Sequence, residues 1–202
     1  MNKELINPES IKGHLFIVVA PSGAGKSTLI EYVRSKMPEL HFPVSVTTRE
    51  PRAGEVEGQD YYYTSTDEFE RRIKAGDFLE YAHVHGSTYY GTLISEVVVP
   101  LQAGQNVIRH LDYQGVCSVR ALLPADKVHV IYIDAGNWKT LLDRITLRSE
   151  LDPDEIERRH QSYLIEEKFK TKVDKIVSNQ VGEQESAQQE LLEYVKKKLD
   201  AN

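Results

Sequence analysis

Ala20-Pro21-Ser22-Gly23-Ala24-Gly25-Lys26-Ser27 is the stretch on which the fold turns. It follows a short apolar, partly β-branched run, His14 to Val19, which reads as a buried strand. It precedes Ser27 to Met37, where Leu29, Ile30, Val33 and Met37 recur at helical spacing. A strand, a glycine-rich turn and a helix in this order build an anion cradle. Gly23 and Gly25 let backbone N–H groups turn inward at the positive end of the helix. Lys26 adds a point charge for the outer phosphates, and the Ser27 hydroxyl suits a magnesium ion. The first position is Ala20 where the general pattern G-x-x-x-x-G-K-[ST] has glycine. The alternative, a glycine turn that merely joins strand to helix, does not explain Lys-Ser directly after Gly25. By itself the motif marks a P-loop nucleotide binder and leaves GTPases, motor ATPases and small kinases open.

Outward from this loop, strand-like and helix-like runs alternate. Pro43 to Val46, Tyr61 to Tyr63, Phe78 to His85, Ser87 to Tyr90, Asn106 to Leu111, Val128 to Ile133 and Ile176 to Ser178 read as strands. Ser65-Thr66-Asp67-Glu68 fits a capping box opening a helix to about Ala75. Thr92 to Leu101 is read as a helix ended by Pro100 and Gly104. Gln114 to Leu123, Trp138 to Leu147, a helix capped by Asp152 with Pro153 in its first turn, and Glu183 to Leu199 complete the helices. The alternation predicts an α/β protein of the P-loop NTPase type, with a parallel sheet core flanked by helices. Residues from about 44 to 100 are richer in hairpin-like strands and are expected to form a lobe of their own.

Composition narrows the function classes. The chain has 202 residues with 40% hydrophobic and 28% charged, which suits a folded domain rather than a disordered tail. Its longest apolar runs fall far short of a membrane span. Lys+Arg is 25 against Asp+Glu 31, a net charge of −6, which argues against a dedicated nucleic-acid binder. A single cysteine, Cys117, excludes an internal disulfide and a cysteine-rich zinc site. Met1 to Gly13 lacks the apolar stretch of a secretory signal, and a cytoplasmic setting is expected. His14, His41, His83, His85, His129 and His160 show no metal-ligand spacing and read as structural or surface groups.

Thr47 to Asp60 is polar, long for a plain connection, and carries Arg49 and Arg52. Two guanidinium forks in a Pro/Gly-rich loop suit a bidentate grip on a phosphate monoester. A solvated charged loop is the plain alternative. Glu80 could likewise be a rim charge, and Tyr89-Tyr90 core aromatics. Arg144 and Arg148 lie one helical turn apart and share a face. Pairing of the helix arginines with Glu150, Asp154 and Glu155 remains open.

Five motifs in order carry a resemblance: A-P-S-G-A-G-K-S, T-T-R-E-P-R-A-G-E-V-E-G-Q-D-Y, F-L-E-Y-A, Y-Y-G-T and L-D-Y-Q-G. Together they resemble the guanylate kinase family from about residue 14 to the C-terminus. The resemblance implies transfer of the γ-phosphoryl of ATP to GMP, with Mg²⁺, by direct in-line transfer. It implies a domain over 14–202: a core of about 14–43 and 101–202, a GMP-binding lobe of about 44–100, and a helical lid of about 140–160. Residues 1–13 are an N-terminal extension. ATP falls to Ala20, Pro21, Ser22, Gly23, Ala24, Gly25, Lys26, Ser27 and Thr28, with Arg148 over the phosphates and Asn179 near the adenine. Arg49, Arg52, Tyr61 and Tyr90 match residues that hold the GMP phosphate. Ser45, Glu80 and Thr92 match those that read guanine, and Asp112 lies near acceptor and metal. Lys26, Arg49, Asp112, Arg148 and Arg159 are the implied catalytic set, and Ser27 and Asp112 the metal set. Guanine offers N1–H and its 2-amino group as donors, which one carboxylate can accept as a fork. ATP and GMP are the implied partners, with no nucleic acid, no membrane, and a monomer or homodimer.

The chain departs from the family pattern at one telling place. Where the family has two acids one residue apart, this sequence has His110 and Asp112. A neutral imidazole would hydrogen-bond, whereas a protonated one would oppose Mg²⁺ and favour phosphate. Reduced, pH-sensitive or metal-shifted activity is therefore expected, and a related domain with weakened catalysis that serves as a binding or interaction module is the alternative reading. Ser149 replaces a glycine at the lid, and the Gly86–Tyr90 segment is one residue longer than expected.

Overall fold

The structure, a computed structural model, describes residues 6–84, 88–147 and 151–201. The core sheet contains β1 (Leu15–Val19), β6 (Val107–His110), β7 (Val128–Asp134) and β8 (Lys175–Ser178) in the order β6-β1-β7-β8. All five residues of β1 are buried, as are the first six of β7, and β7 runs parallel to β8. Continuous burial is what a strand covered on both faces requires, and it explains why these runs are apolar without alternation. α1 (Lys26–Lys36) buries Leu29, Ile30 and Val33. α5 (Trp138–Thr146), α6 (Pro153–Phe169) and α7 (Gln184–Asp200) complete this unit, which comprises 16–38, 108–113 and 129–202. No helix among the described residues is long and apolar enough to cross a membrane.

The second unit comprises 1–15, 39–107 and 114–128. It holds α4 (Tyr113–Arg120) from Gln114 onward and a mixed sheet of β2 (Ser45–Thr47), β3 (Tyr61–Tyr63), β4 (Phe78–Val84) and β5 (Thr88–Leu93). The strand order is β3-β2-β5-β4, with β2 parallel to β3 and antiparallel to β5. α2 (Thr66–Ala75) starts as predicted, with the Ser65 hydroxyl accepting from the Glu68 N–H. One face of this sheet packs Val46, Phe69 and Phe78 against Tyr62, Ile73, Tyr89 and Leu93. The Phe69 and Phe78 rings stack at 4.3 Å.

Two boundaries differ from the sequence reading. Thr92 belongs to β5, paired with Glu80 of β4, and the helix α3 begins only at Ile94 and runs to Gln102. Cross-strand pairing outweighed the helical pattern there. Pro100 lies inside α3 instead of ending it. Proline lacks the N–H that would satisfy the carbonyl four residues back, at Glu96. His41 Nε2 supplies the missing donor, 2.9 Å from Glu96 O. The predicted strand turn at His85, Gly86 and Ser87 lies outside the described residues.

Gly91 lies directly under the aromatic stack. A Cβ there would stand 2.8 Å from the Phe78 ring and 3.0 Å from Phe69. Gly91→Ala is expected to destabilise the protein by about 1–3 kcal/mol through overpacking. Chemical denaturation followed by circular dichroism measures this.

Candidate active site

The phosphate loop is held open by geometry that only glycine meets. Gly23 and Gly25 take φ of 81° and 86°, in the left-handed region that side chains disfavour. Space excludes a side chain as well. A Cβ at Gly23 would meet Ile145 Cγ1 at 2.9 Å, and one at Gly25 would meet Asn179 Nδ2 at 2.6 Å. The buried Asn179 donates from Nδ2 to Ala24 O at 2.7 Å, and its own N–H donates to Asp134 O at 2.7 Å. Arg144 Nη2 in turn donates to Asn179 O at 3.1 Å. Asn179 is therefore a brace between the end of β8 and the loop. One N–H of its amide is spent on the loop, and Asn179 also lines the cavity beside it.

Lys26 Nζ donates to Ala20 O and lies 3.4 Å from Pro21 O. Burial pushes its pKa down, and Glu166 of α6 pushes the other way. The Ser27 and Thr28 side chains are exposed at the start of α1. α6 reaches back to the loop. Arg159 Nη1 donates to Ser22 Oγ at 2.6 Å, while its Nε is held by Glu155 at 2.8 Å. Arg158 shares Glu155 at 2.8 Å, as a surface pair. At its other end α6 is tied to β7: Tyr132 donates to Glu167 at 2.7 Å, and Lys170 pairs with Asp134 at 2.5 Å. Glu166, seven residues beyond Arg159, lies about two turns along the same helix face. Burial and Asp112 raise its pKa to about 7 against the pull of Lys26. The sequence reading missed Glu166, and that heptad spacing from Arg159 was the available signal. Beside the loop lies a cavity of about 570 Å³, lined by Gly23, Thr28, Arg144, Leu147, Asn179 and Val181. Leu147 and Val181 are 87% and 80% exposed, so two apolar side chains stand ready at its wall. Arg148, together with Ser149 and Glu150, lies outside the described residues.

His110 ends β6, and Asp112 follows just before α4. The His110 ring reaches solvent yet is crowded by protein. That desolvation, with the Arg109 and Lys26 cations nearby, lowers its pKa to about 4. Of the two alternatives left open above, the neutral imidazole is the one populated at neutral pH.

The other unit carries the second constellation, and its register decides which side chains meet. Ser45 pairs with Tyr61, Thr47 with Tyr90, and Thr92 with Glu80. Cross-strand partners share a face, and so do residues two apart. Ser45, Tyr61, Tyr90, Thr92 and Glu80 therefore share one face, opposite Val46 and Gly91. A bulge between Phe78 and Glu80 makes this possible. Phe78 pairs with Leu93 on the core face, and the extra residue turns Glu80 to the other face. Thr92 Oγ1 donates to Glu80 Oε1. Arg49 lies over the Tyr61 ring, 5.4 Å from its centroid, and Tyr61 meets Tyr90 edge-on at 5.9 Å. Glu55 holds Arg49 Nη2 at 2.8 and 2.9 Å. The Arg52 guanidinium has no ion pair among the described residues.

Comparisons with known proteins agree with one another. The guanylate kinase family model matches residues 12–198. A guanylate kinase of Fusobacterium nucleatum is 40% identical over 172 residues, covering 85% of this chain and 91% of that protein. One of Bacteroides thetaiotaomicron is 35% identical over 192 residues, covering 95% and 93%. The crystal structure of guanylate kinase from Anaplasma phagocytophilum superposes with a TM-score of 0.68 at 24% identity, covering 92% of this chain and 86% of that one, which supports the α/β fold.

The lowered pKa of His110 sets a pH window. The unfolded ring would charge near its ordinary 6.5, and the folded one charges only near 4. Its contribution to stability is complete above the unfolded value and is lost as pH falls toward 4. An NMR titration of the ring Hε1 in the free protein is expected to give a midpoint near 4 and no inflection around neutrality.

Proposed function

The chain belongs to the guanylate kinase family and transfers the γ-phosphoryl of ATP to GMP, and we propose that its two constellations divide donor from acceptor. The observation that carries this reading is the shared face built by Ser45, Tyr61, Glu80, Tyr90 and Thr92. On it the Glu80 carboxylate accepts guanine N1–H and the 2-amino group, and the Ser45 or Thr92 hydroxyl donates to O6. Adenine would offer the reversed pattern and leave the carboxylate desolvated and unpaired. Arg49, Arg52, Tyr61 and Tyr90 bind the phosphate of GMP, and Asp112 serves the acceptor side from the end of β6.

On the donor side, residues Ala20 to Thr28 wrap the ATP phosphates. Lys26 exchanges the Ala20 and Pro21 carbonyls for phosphate oxygens. That exchange restores an ordinary charged ammonium to a group whose pKa burial lowers. Arg159, and Arg148 by its match to the family pattern, bring positive charge to the transferring group. As the lid of about 140–160 closes it excludes water, so that transfer proceeds in line by positioning and electrostatics. Asn179 acts from behind the loop. No covalent enzyme intermediate is needed.

The residues present suit a magnesium ion. Ser27 and Asp112 offer hard oxygens, and no group of three or more acidic, histidine or cysteine ligands exists among the described residues. Magnesium keeps waters and substrate phosphates as ligands, so one or two protein oxygens fit it better than a dedicated cage. Bound there by Ser27 and Asp112, it would neutralise phosphate charge. A neutral His110 adds no cation beside it. We assign the protein to the cytoplasm, as a monomer or homodimer. The binding-module alternative gains no support from a phosphate loop that keeps both Lys26 and Ser27.

A coupled ADP-release assay with Mg²⁺ and ATP tests the assignment. Turnover is expected with GMP and not with AMP, CMP or UMP. Glu80→Gln is expected to lower kcat/KM for GMP by about 100-fold, the scale of two charge-assisted hydrogen bonds. Equal turnover of AMP and GMP by the wild type would overturn the guanine-reading role.

A further inference from the structure

Glu55 is bound more thoroughly than an exposed loop carboxylate needs to be. Its side chain accepts from Arg49 Nη2 at 2.8 and 2.9 Å, from the Arg52 backbone N–H at 2.7 Å, and from the Tyr63 hydroxyl at 2.8 Å. The Glu55 N–H donates back to Arg52 O at 3.1 Å, closing the turn through Ala53 and Gly54. Arg49 Nη1 is fixed as well, at 2.7 Å from Glu50 O. The guanidinium is thus clamped at one end while it lies over Tyr61 at 5.4 Å and Tyr63 at 6.0 Å. Tyr63 pairs with Thr47, so it shares the face of Ser45, Tyr61 and Tyr90. The bonds to Glu50 and Glu55 are made by Nη1 and Nη2, so the clamp itself does not use the Nε–H of Arg49.

We propose that Glu55 is a positioning residue for the acceptor phosphate, fixing the Arg49 guanidinium and the Arg52 backbone before the substrate arrives. The proposal rests on the reading of Arg49 as a phosphate ligand. A free arginine carries several rotatable bonds, and ordering them at binding subtracts from affinity. Glu55 orders them beforehand. The opposite role, a carboxylate occupying the phosphate's own place, fits the contacts less well. Such a group must leave when phosphate binds, and Glu55 is anchored by a backbone amide and a tyrosine that are not part of the guanidinium. These donors also draw off its charge: hydrogen bonding from Arg49 and Arg52 holds its pKa down at about 2.

The test compares ligands that differ only in the phosphate. Calorimetric Kd values for GMP and for guanosine are measured on the wild type, Glu55→Gln, Tyr63→Phe and Arg49→Ala, with ATP KM and Tm alongside. Glu55→Gln is expected to weaken GMP by about tenfold, the scale of one charged hydrogen bond. Guanosine binding and ATP KM should stay unchanged. Tyr63→Phe, which removes one donor to Glu55 and leaves its charge, is expected to give a smaller change of the same kind. Tighter GMP binding by Glu55→Gln would overturn the proposal in favour of a competitor for the phosphate. Equal weakening of GMP and guanosine, or a loss of Tm with GMP affinity intact, would reduce Glu55 to a fold residue. GMP binding that survives Glu55→Gln but not Arg49→Ala would overturn the positioning role alone. GMP binding that survives Arg49→Ala would overturn the phosphate-site reading and this proposal with it.

Discussion

The turn from Ala20 to Ser27 has to curl until its amides face one point, and a buried carboxamide holds the curl. Asn179 Nδ2 bonds Ala24 O and fills the space that a side chain on Gly25 would need. The loop depends on that contact, because it ties the end of β8 to the loop and to the neighbouring β7 and α5. The end of β8 supplies Asn179, the end of β7 fixes its backbone through Asp134, and α5 supplies Arg144. Around this frame Lys26 and Arg159 are both engaged with the loop itself, on Ala20 and Ser22. Cations that meet protein oxygens in the free protein have oxygens to exchange when phosphate arrives, so they need not be stripped of water alone.

Much of this was legible in the sequence, for reasons that differ by region. Buried runs such as Leu15 to Val19 announce themselves because both faces must be apolar. The loop announces itself because few residue types satisfy a positive φ and an anion together. The shared face of Ser45, Glu80 and Thr92 was suggested only by the resemblance, since Glu80 and Thr92 are unremarkable singly. Their meeting depends on pairing across a sheet and on a bulge, and neither leaves a local trace. Thr92 shows the limit plainly: its local pattern favoured helix, and its partner across the sheet made it strand. The brace that Asn179 gives the loop leaves no local trace either, because Ala24 lies far from it in the chain. Glu166 and Glu55 were overlooked because their roles lie in what they hold.

Charge is arranged in the same spirit in both units. The chain is net acidic at −6, so each anion site must be made locally. Arg49 is matched by Glu55, Arg159 by Glu155, and Lys26 faces Glu166. Both arginines therefore sit with a carboxylate that keeps them in place, while Lys26 is held by the carbonyls of Ala20 and Pro21. His110 fits this scheme: as a neutral ring it lets Lys26 and Arg109 remain the cations of their neighbourhood.

The bulge between Phe78 and Glu80 carries a consequence for how this lobe can vary over evolutionary time. One additional residue in β4 puts an aromatic ring inside and an acid outside, where a regular strand would put both on one side. Replacing Leu79 by another apolar residue would keep inside and outside apart. Deleting it would make Phe78 and Glu80 neighbours, which ordinary alternation still sets on opposite faces, so the pairings of Phe78 with Leu93 and of Glu80 with Thr92 would survive as a regular ladder. A length change is therefore absorbed at the bulge itself, whereas one residue gained or lost between Glu80 and Val84 would turn the side chains beyond it to the other face.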